Sequence, residues 1–221
     1  MDQSIFHFIN QQWTSPAFDL FMAALSDSGI WQPLFIAIGV SMLFLGGFRA
    51  RAFVICLALS LLITSQVTGL LKSAVNRHRP KQVESVRMVQ LQRTHPTFLT
   101  LFKKPTIRFS DVSDRSRSGP SFPSGHVTTN SVIAVFCTLF YRRGGWIYWL
   151  IAVAVGYSRI YLGAHWPSDV IATFFLASGE ALLLLGLFEL IWRRVGRKWA
   201  PRLFARYPSL ITDSNESAIK I

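Results

Sequence analysis

Apolar positions along this chain gather into long blocks rather than into amphipathic stripes. A run of roughly 17 to 25 apolar residues spans a bilayer as a helix. Residues 52–71 and 170–192 meet that length without a Lys or Arg, and residues 31–48 come close. Residues 127–141 and 146–162 are shorter and aromatic-rich, and their flanks can extend them. Backbone amides in lipid must be satisfied internally, so helices are the expected solution. The pattern predicts an all-α fold, a polytopic transmembrane helix bundle of about five spans.

Ahead of the first span, Ile5, Phe8, Ile9 and Trp13 follow helical spacing, and Phe18, Phe21, Met22 and Leu25 do so again. Ser15-Pro16 between them is a cap followed by a first-turn proline. With Gln11, Gln12, Asp19 and Asp27 on the other faces, residues 1–28 read as two short interfacial amphipathic helices. A sixth span bent at Pro16 is the alternative. The basic start and cleavage site of a signal peptide are missing. The membrane domain is expected over 29–206, with an insert at 81–119. Residues 207–221 are polar and expected to be disordered.

Composition agrees: 51% of the 221 residues are hydrophobic, 18 of them Phe and 7 Trp. The net charge of +12 raises the possibility of nucleic acid, but its placement argues against that class. Arg49 and Arg51, Arg142 and Arg143, and the group from Arg193 to Arg206 fall on one face of a five-span bundle. The positive-inside rule makes that face cytoplasmic. Eleven further basic residues against three acids lie between Lys72 and Arg117, a net +8 on the opposite face. An anionic substrate or anionic headgroups would explain them. Cys56 and Cys137 both fall within spans and cannot form a cysteine-based metal site.

Three clusters carry chemistry. Lys72 and Arg79 are seven apart, two helical turns, and so are expected on one face at the end of the second span. Pro80 turns Arg79 away from the helix. A Lys and an Arg offer phosphate oxygens a point charge and a planar fork, although basic residues at a membrane edge also snorkel. Ser121-Phe122-Pro123-Ser124-Gly125-His126 stands directly before the third span, where Pro-Ser-Gly at a helix start and the helix dipole attract an anion. Ser124 can donate a hydroxyl and His126 can exchange protons near neutrality. Ser158-Arg159, His165 and Asp169 form the third cluster. If Pro167 opens the fifth span, the Asp169 carboxylate can reach the imidazole and leave its other nitrogen free for attack. Five spans put all three clusters on the extracytoplasmic face.

The order and spacing of these clusters resemble the three-motif signature of the type 2 phosphatidic acid phosphatase superfamily. That signature is Lys, six residues, Arg-Pro; then Pro-Ser-Gly-His; then Ser-Arg, five residues, His, three residues, Asp. It reads here as Lys72 to Arg79-Pro80, Pro123 to His126, and Ser158-Arg159 to His165 to Asp169. The resemblance implies a membrane lipid phosphatase, close to undecaprenyl-diphosphate phosphatases, that works without metal or cofactor. It implies His165 as nucleophile forming a phosphohistidine, Asp169 as its orienting carboxylate and His126 as general acid and base. Lys72, Arg79, Ser124, Gly125 and Arg159 would hold the phosphoryl oxygens. Phosphoryl transfer needs positioning and charge stabilisation above all, which three cations and helix-end amides supply.

Partners are then membrane lipids and a lipid phosphate or diphosphate, with no nucleic acid, in a membrane such as the bacterial inner membrane. Polyprenyl diphosphate is favoured by the charge of the insert; phosphatidic acid, phosphatidylglycerol phosphate and lipid A are the other candidates. Lipid phosphotransfer would use the same motifs. A non-enzymatic anion channel would need polar residues deep along several spans, and there are few. Glu180, about 16 Å along its helix from Asp169, lies too deep for the site and is read as a packing residue.

Overall fold

A computed structural model describes residues 1–116 and 118–211. Its longest helices are α3 (Ser28–Leu45), α4 (Phe48–Val75) and α9 (Pro167–Ile191), following the short N-terminal α1 (Asp2–His7) and α2 (Pro16–Ser26). Three helical stretches, built on α3, α4 and α9, are long and apolar enough to cross a membrane. Between α4 and α9 run α5 (Pro80–Val83), α6 (Val112–Ser116), α7 (Gly125–Phe140) and α8 (Tyr148–Tyr161). At 16 and 14 residues, α7 and α8 are shorter than the other three, as their apolar blocks are.

The burial pattern explains the composition. Helix α7 forms the centre, packing against α4, α8 and α9. Phe53 and Cys56 of α4 meet Val132, Phe136 and Phe140 of α7 and Ala177, Ala181 and Leu185 of α9. The outward faces of the long helices are apolar too: Leu34, Phe35, Ile36 and Phe44 of α3, Leu62 and Leu70 of α4, and Phe175 and Leu183 of α9 are all exposed. No residue of α3 is buried. Such surfaces are stable only where the surroundings are as apolar as they are. The protein is an integral membrane protein.

The N-terminal segment forms the expected two helices, with Ser15 accepting from the Phe18 amide and Pro16 in the first turn. At 11 residues, about 16 Å, α2 is too short to be a sixth span. The side facing the protein is mixed, with Met22 and Ala23 packed against Val89 and Tyr161 beside the buried Asp19. Asp19 is 1% exposed, bonded to Arg87 at 2.6 Å and to the Tyr161 hydroxyl at 2.7 Å. Asn10 is fully buried and donates to the carbonyls of Arg87 and Tyr161. Ile5, Phe8, Trp13, Phe18 and Phe21 point outward.

The insert is not purely irregular. Strands β1 (Arg87–Gln90) and β2 (Thr106–Phe109) pair antiparallel, Arg87 opposite Phe109 and Gln90 opposite Thr106. This two-stranded ladder is the one departure from an all-α chain among the described residues, and it is small because only β1 finds a partner surface. Val86 and Val89 bury against the N-terminal helices and the end of α8. Leu99 and Phe102 stay exposed in a 3-10 turn between the strands.

After α9 the chain turns back. Tyr207 stacks on Phe48, its carbonyl accepts from Trp192 Nε1, and the Leu210 amide donates to Glu189. Residues 207–211 are thus packed, while the expectation for 212–221, like the charge of Arg117, lies outside the described residues. Glu180 is half-buried and Gln66 exposed.

Candidate active site

The site is assembled where four helices end. Lys72 lies in the last turn of α4, His126 in the first turn of α7, Arg159 in the last turn of α8, and Asp169 in the first turn of α9. Up-and-down connectivity brings those four ends together, and it carries Arg49 and Arg51, Arg142 and Arg143, and Arg193 to the other ends of the same helices.

Local backbone signals present each group. Helix α4 stops at Val75 because Asn76 takes the left-handed conformation, φ 44°. Arg79 is therefore extended, φ −76° and ψ 157°, rather than two turns along one helical face from Lys72. Pro80 opens α5 behind it, as expected. The Arg79 guanidinium returns to the site, held by the carbonyls of Gly119 at 2.9 Å and Ala164 at 3.4 Å. In the turn after α8, Gly163 takes φ +71°, and an added Cβ there would lie 3.0 Å from Val86. Only glycine fits that turn without strain, and the turn delivers His165 to the site. Pro167 opens α9, placing Asp169 at its third position, from which the carboxylate accepts the Trp166 amide at 3.2 Å.

Lys72, Arg79 and Arg159 all act electrostatically on both His126 and His165. Like charges gathered in a partly buried space repel unless an anion lies among them. Two buried donors, Arg159 Nε and Ser124 Oγ, have no hydrogen-bond partner among the described residues. Ser124 occupies the N-cap position of α7, but its hydroxyl does not cap the helix. Its amide is taken by Thr173 Oγ1 at 3.1 Å, so the first-turn amides left for an anion are those from Gly125 onward. A Cβ on Gly125 would meet nothing within 4 Å. The space in front of this helix start is open.

His165 is 2% exposed. Burial, then the charges of Arg159, Arg79 and Lys72, hold its imidazole well below the ordinary histidine pKa, against an opposing hydrogen bond with the Ser121 backbone. Neutral imidazole is the nucleophilic form. Its Nδ1 lies 3.5 Å from Ser121 Oγ. Spacing predicts that Asp169 reaches the imidazole directly; here Ser121 mediates. The Ser121 hydroxyl donates to Asp169 Oδ2 at 2.5 Å and stands next to the ring. Asp169 is fully buried and takes a second charge-assisted bond from Arg77 Nη1 at 2.6 Å. With Nδ1 on the Ser121 side, Nε2 is the ring nitrogen on the opposite side.

Beside His126 and Arg159 opens a cleft of about 300 Å³. Ser26, Asp27 and Arg93 make its polar wall and Leu91 and Leu162 an apolar one. Arg159 Nη1 donates to the Ser26 hydroxyl, and the Ser26 backbone hydrogen-bonds His126. The α2–α3 junction thus touches both groups.

All eight residues picked out by spacing, Lys72, Arg79, Ser124, Gly125, His126, Arg159, His165 and Asp169, belong to this end of the bundle. Arg77 and Ser26 did not stand out in the sequence as site residues, and Ser121, although it opens the run before the third span, was given no role. Ser121 sits two residues before Pro123 and Arg77 two before Arg79, so proximity to a motif was the only signal they carried.

Helix-end amides, clustered cations and two histidines thus meet at one end of a bundle of membrane helices. The chain belongs to the PAP2 superfamily, whose pattern it matches over residues 53–195. An undecaprenyl-diphosphatase of Sulfolobus acidocaldarius is 35% identical over 123 residues, 55% of this chain and 51% of that protein. A lipid A 4'-phosphatase of Bacteroides thetaiotaomicron is 26% identical over 166 residues, 72% of this chain and 64% of that protein. The chain thus spans about half the length of the first relative and under two thirds of the second. The crystal structure of a transmembrane PAP2-type phosphatidylglycerolphosphate phosphatase from Bacillus subtilis superposes with a TM-score of 0.59 at 23% identity, covering 86% of this chain and 87% of that one. It shares the fold.

Proposed function

We propose that the protein is a membrane lipid phosphatase working through a phosphohistidine. The observation that carries this is the set of three cations around two histidines, with Arg159 Nε and Ser124 Oγ buried and unpartnered beside them. A phosphoryl group entering there satisfies both donors and relieves the repulsion. His165 Nε2 attacks phosphorus, and the bond from phosphorus to the leaving oxygen breaks. His126 gives that oxygen a proton. Water then attacks the phosphohistidine, His126 takes the water's proton, and phosphate leaves with His165 restored. Lys72, Arg79 and Arg159 hold the equatorial oxygens throughout. No metal or cofactor has a part in this scheme, so activity is expected to survive EDTA.

The substrate is a lipid carrying a terminal phosphate or diphosphate. A site at helix ends lets the phosphate enter while the chain stays among the exposed apolar faces. A polyprenyl diphosphate is supported by the undecaprenyl-diphosphatase relative, and lipid A by the 4'-phosphatase relative. Part of the charge of the insert is committed to pairs within the protein. Arg87 is tied to Asp19, Arg93 to Asp27 and Arg108 to Asp114. Lys81 is the insert cation in electrostatic contact with Arg79 and Arg159. The test compares kcat/KM for phosphate release from a long polyprenyl diphosphate, phosphatidic acid, phosphatidylglycerol phosphate, lipid A and a soluble sugar phosphate in one detergent. Preference for any lipid supports the reading; preference for the sugar phosphate contradicts it.

A further inference from the structure

The bonds of Asp169 lead outward to the first helix of the chain. Arg77 does not serve Asp169 alone: while Nη1 bonds Asp169 at 2.6 Å and the Ser168 hydroxyl at 2.8 Å, Nη2 bonds Asp2 Oδ2 at 2.7 Å. Asp2 also accepts the Ser168 amide at 3.0 Å through Oδ1 and the Ser168 hydroxyl at 2.6 Å through Oδ2. A carboxylate from α1 therefore caps the first turn of α9 from across the fold. Burial raises the Asp2 carboxyl, but the bonds from Ser168 and Arg77 outweigh it and hold it below the usual carboxylate value.

The charge count gives this arrangement its consequence. One guanidinium stands between two carboxylates, Asp2 and Asp169. Shared in this way, it orients Asp169 without cancelling it. Asp169 is then free to support, through the short Ser121 bond, the positive charge that appears on His165 when Nε2 binds phosphorus. Were Arg77 committed wholly to Asp169, the pair would be neutral when that charge develops. We propose that Asp2 is a positioning residue of the active site, dividing the charge of Arg77 with Asp169 and so keeping the Asp169–Ser121 support of His165 anionic. The proposal rests on the phosphohistidine reading. It makes the N-terminal helix part of the catalytic apparatus, although its Ile5 and Phe8 face away from the protein.

Asp2→Asn keeps the size of the side chain and an acceptor for the Ser168 amide but removes the charge. It is expected to lower kcat about tenfold while KM stays within about twofold, because the lost interaction is strongest in the transition state. The acid limb of kcat/KM should move to lower pH, since His165 loses negative potential. Asp2→Glu should recover part of both. Asn10→Ala supplies the control: it loosens the N-terminal segment from Arg87 and Tyr161 without touching Arg77, so it should lower the melting temperature without the pH shift. Wild-type kcat in Asp2→Asn, or the same kcat loss and pH shift in Asn10→Ala, overturns the proposal while leaving the phosphatase reading intact. A wild-type protein that releases no phosphate from any of the lipids overturns the reading beneath it.

Discussion

Ser121 holds one of the shortest polar contacts in the site, 2.5 Å to a carboxylate with no exposure to solvent. A hydrogen bond to a buried charge is worth about 1.5–3 kcal/mol. If Ser121→Ala loses that in the transition state, kcat falls about ten- to hundredfold with little change in KM, measurable by steady-state phosphate release. His165 makes a second expectation, in pH. Its pKa is lowered by burial and by Arg159, Arg79 and Lys72, so the neutral imidazole persists as pH falls through 6.5, the ordinary value. The acid limb of kcat/KM for the free enzyme should therefore lie below pH 6.5. Protonation is resisted in the folded state and not in the unfolded one, so stability contributed by neutral His165 is present above pH 6.5 and declines below it. The histidines, the three cations and Asp169 were legible in the sequence because their spacings relative to Pro80, Pro123 and Pro167 tie them to helix ends. Ser121, Arg77 and Asp2 were not: their partners are 48, 92 and 75 residues away along the chain. No periodicity encodes such a distance.

At the scale of elements, the N-terminal helices dock through buried polar groups, Asn10 and Asp19, and through apolar ones, Phe6 and Met22. Periodicity groups Phe18, Phe21 and Met22 on one face of α2, yet Met22 is buried while Phe18 and Phe21 are exposed. Asp19 is the polar anchor. Its carboxylate receives Arg87 of the insert and Tyr161 from the end of α8, tying three separate segments at one point. Asp19→Ala would leave the Arg87 guanidinium, with a side chain 11% exposed, without its partner. Breaking a buried pair costs about 3–5 kcal/mol, so a clear fall in thermal stability in detergent is expected, measured by the midpoint of unfolding. The strand pair was equally illegible. Residues 87–90, Arg-Met-Val-Gln, do not alternate, residues 106–109 alternate over only four positions, and β1 is held by Asn10, whose amide bonds the Arg87 backbone on both sides. Helix ends fared unevenly: Pro16, Pro80 and Pro167 mark starts correctly, whereas Asn76 ends α4 early without glycine or proline at that residue.

For the whole molecule, apolar block length found the membrane helices and left α7 and α8 short of the usual span. The arrangement of charge completes the picture, with the candidate site residues at one end of the bundle and arginine groups at the other. Cysteines placed at Lys104 and at Arg143, in a protein with Cys56 and Cys137 replaced by serine, should react with an impermeant thiol reagent in intact cells at 104 and not at 143. The reverse labelling would invert the orientation. The account stands most directly on the covalent intermediate. Purified protein mixed with substrate carrying a labelled terminal phosphate and quenched in base should hold one acid-labile, base-stable phosphoryl group per chain, and the folded His165→Ala variant should hold none and release no phosphate. Turnover by His165→Ala at the wild-type rate, or label retained in that variant, would contradict it.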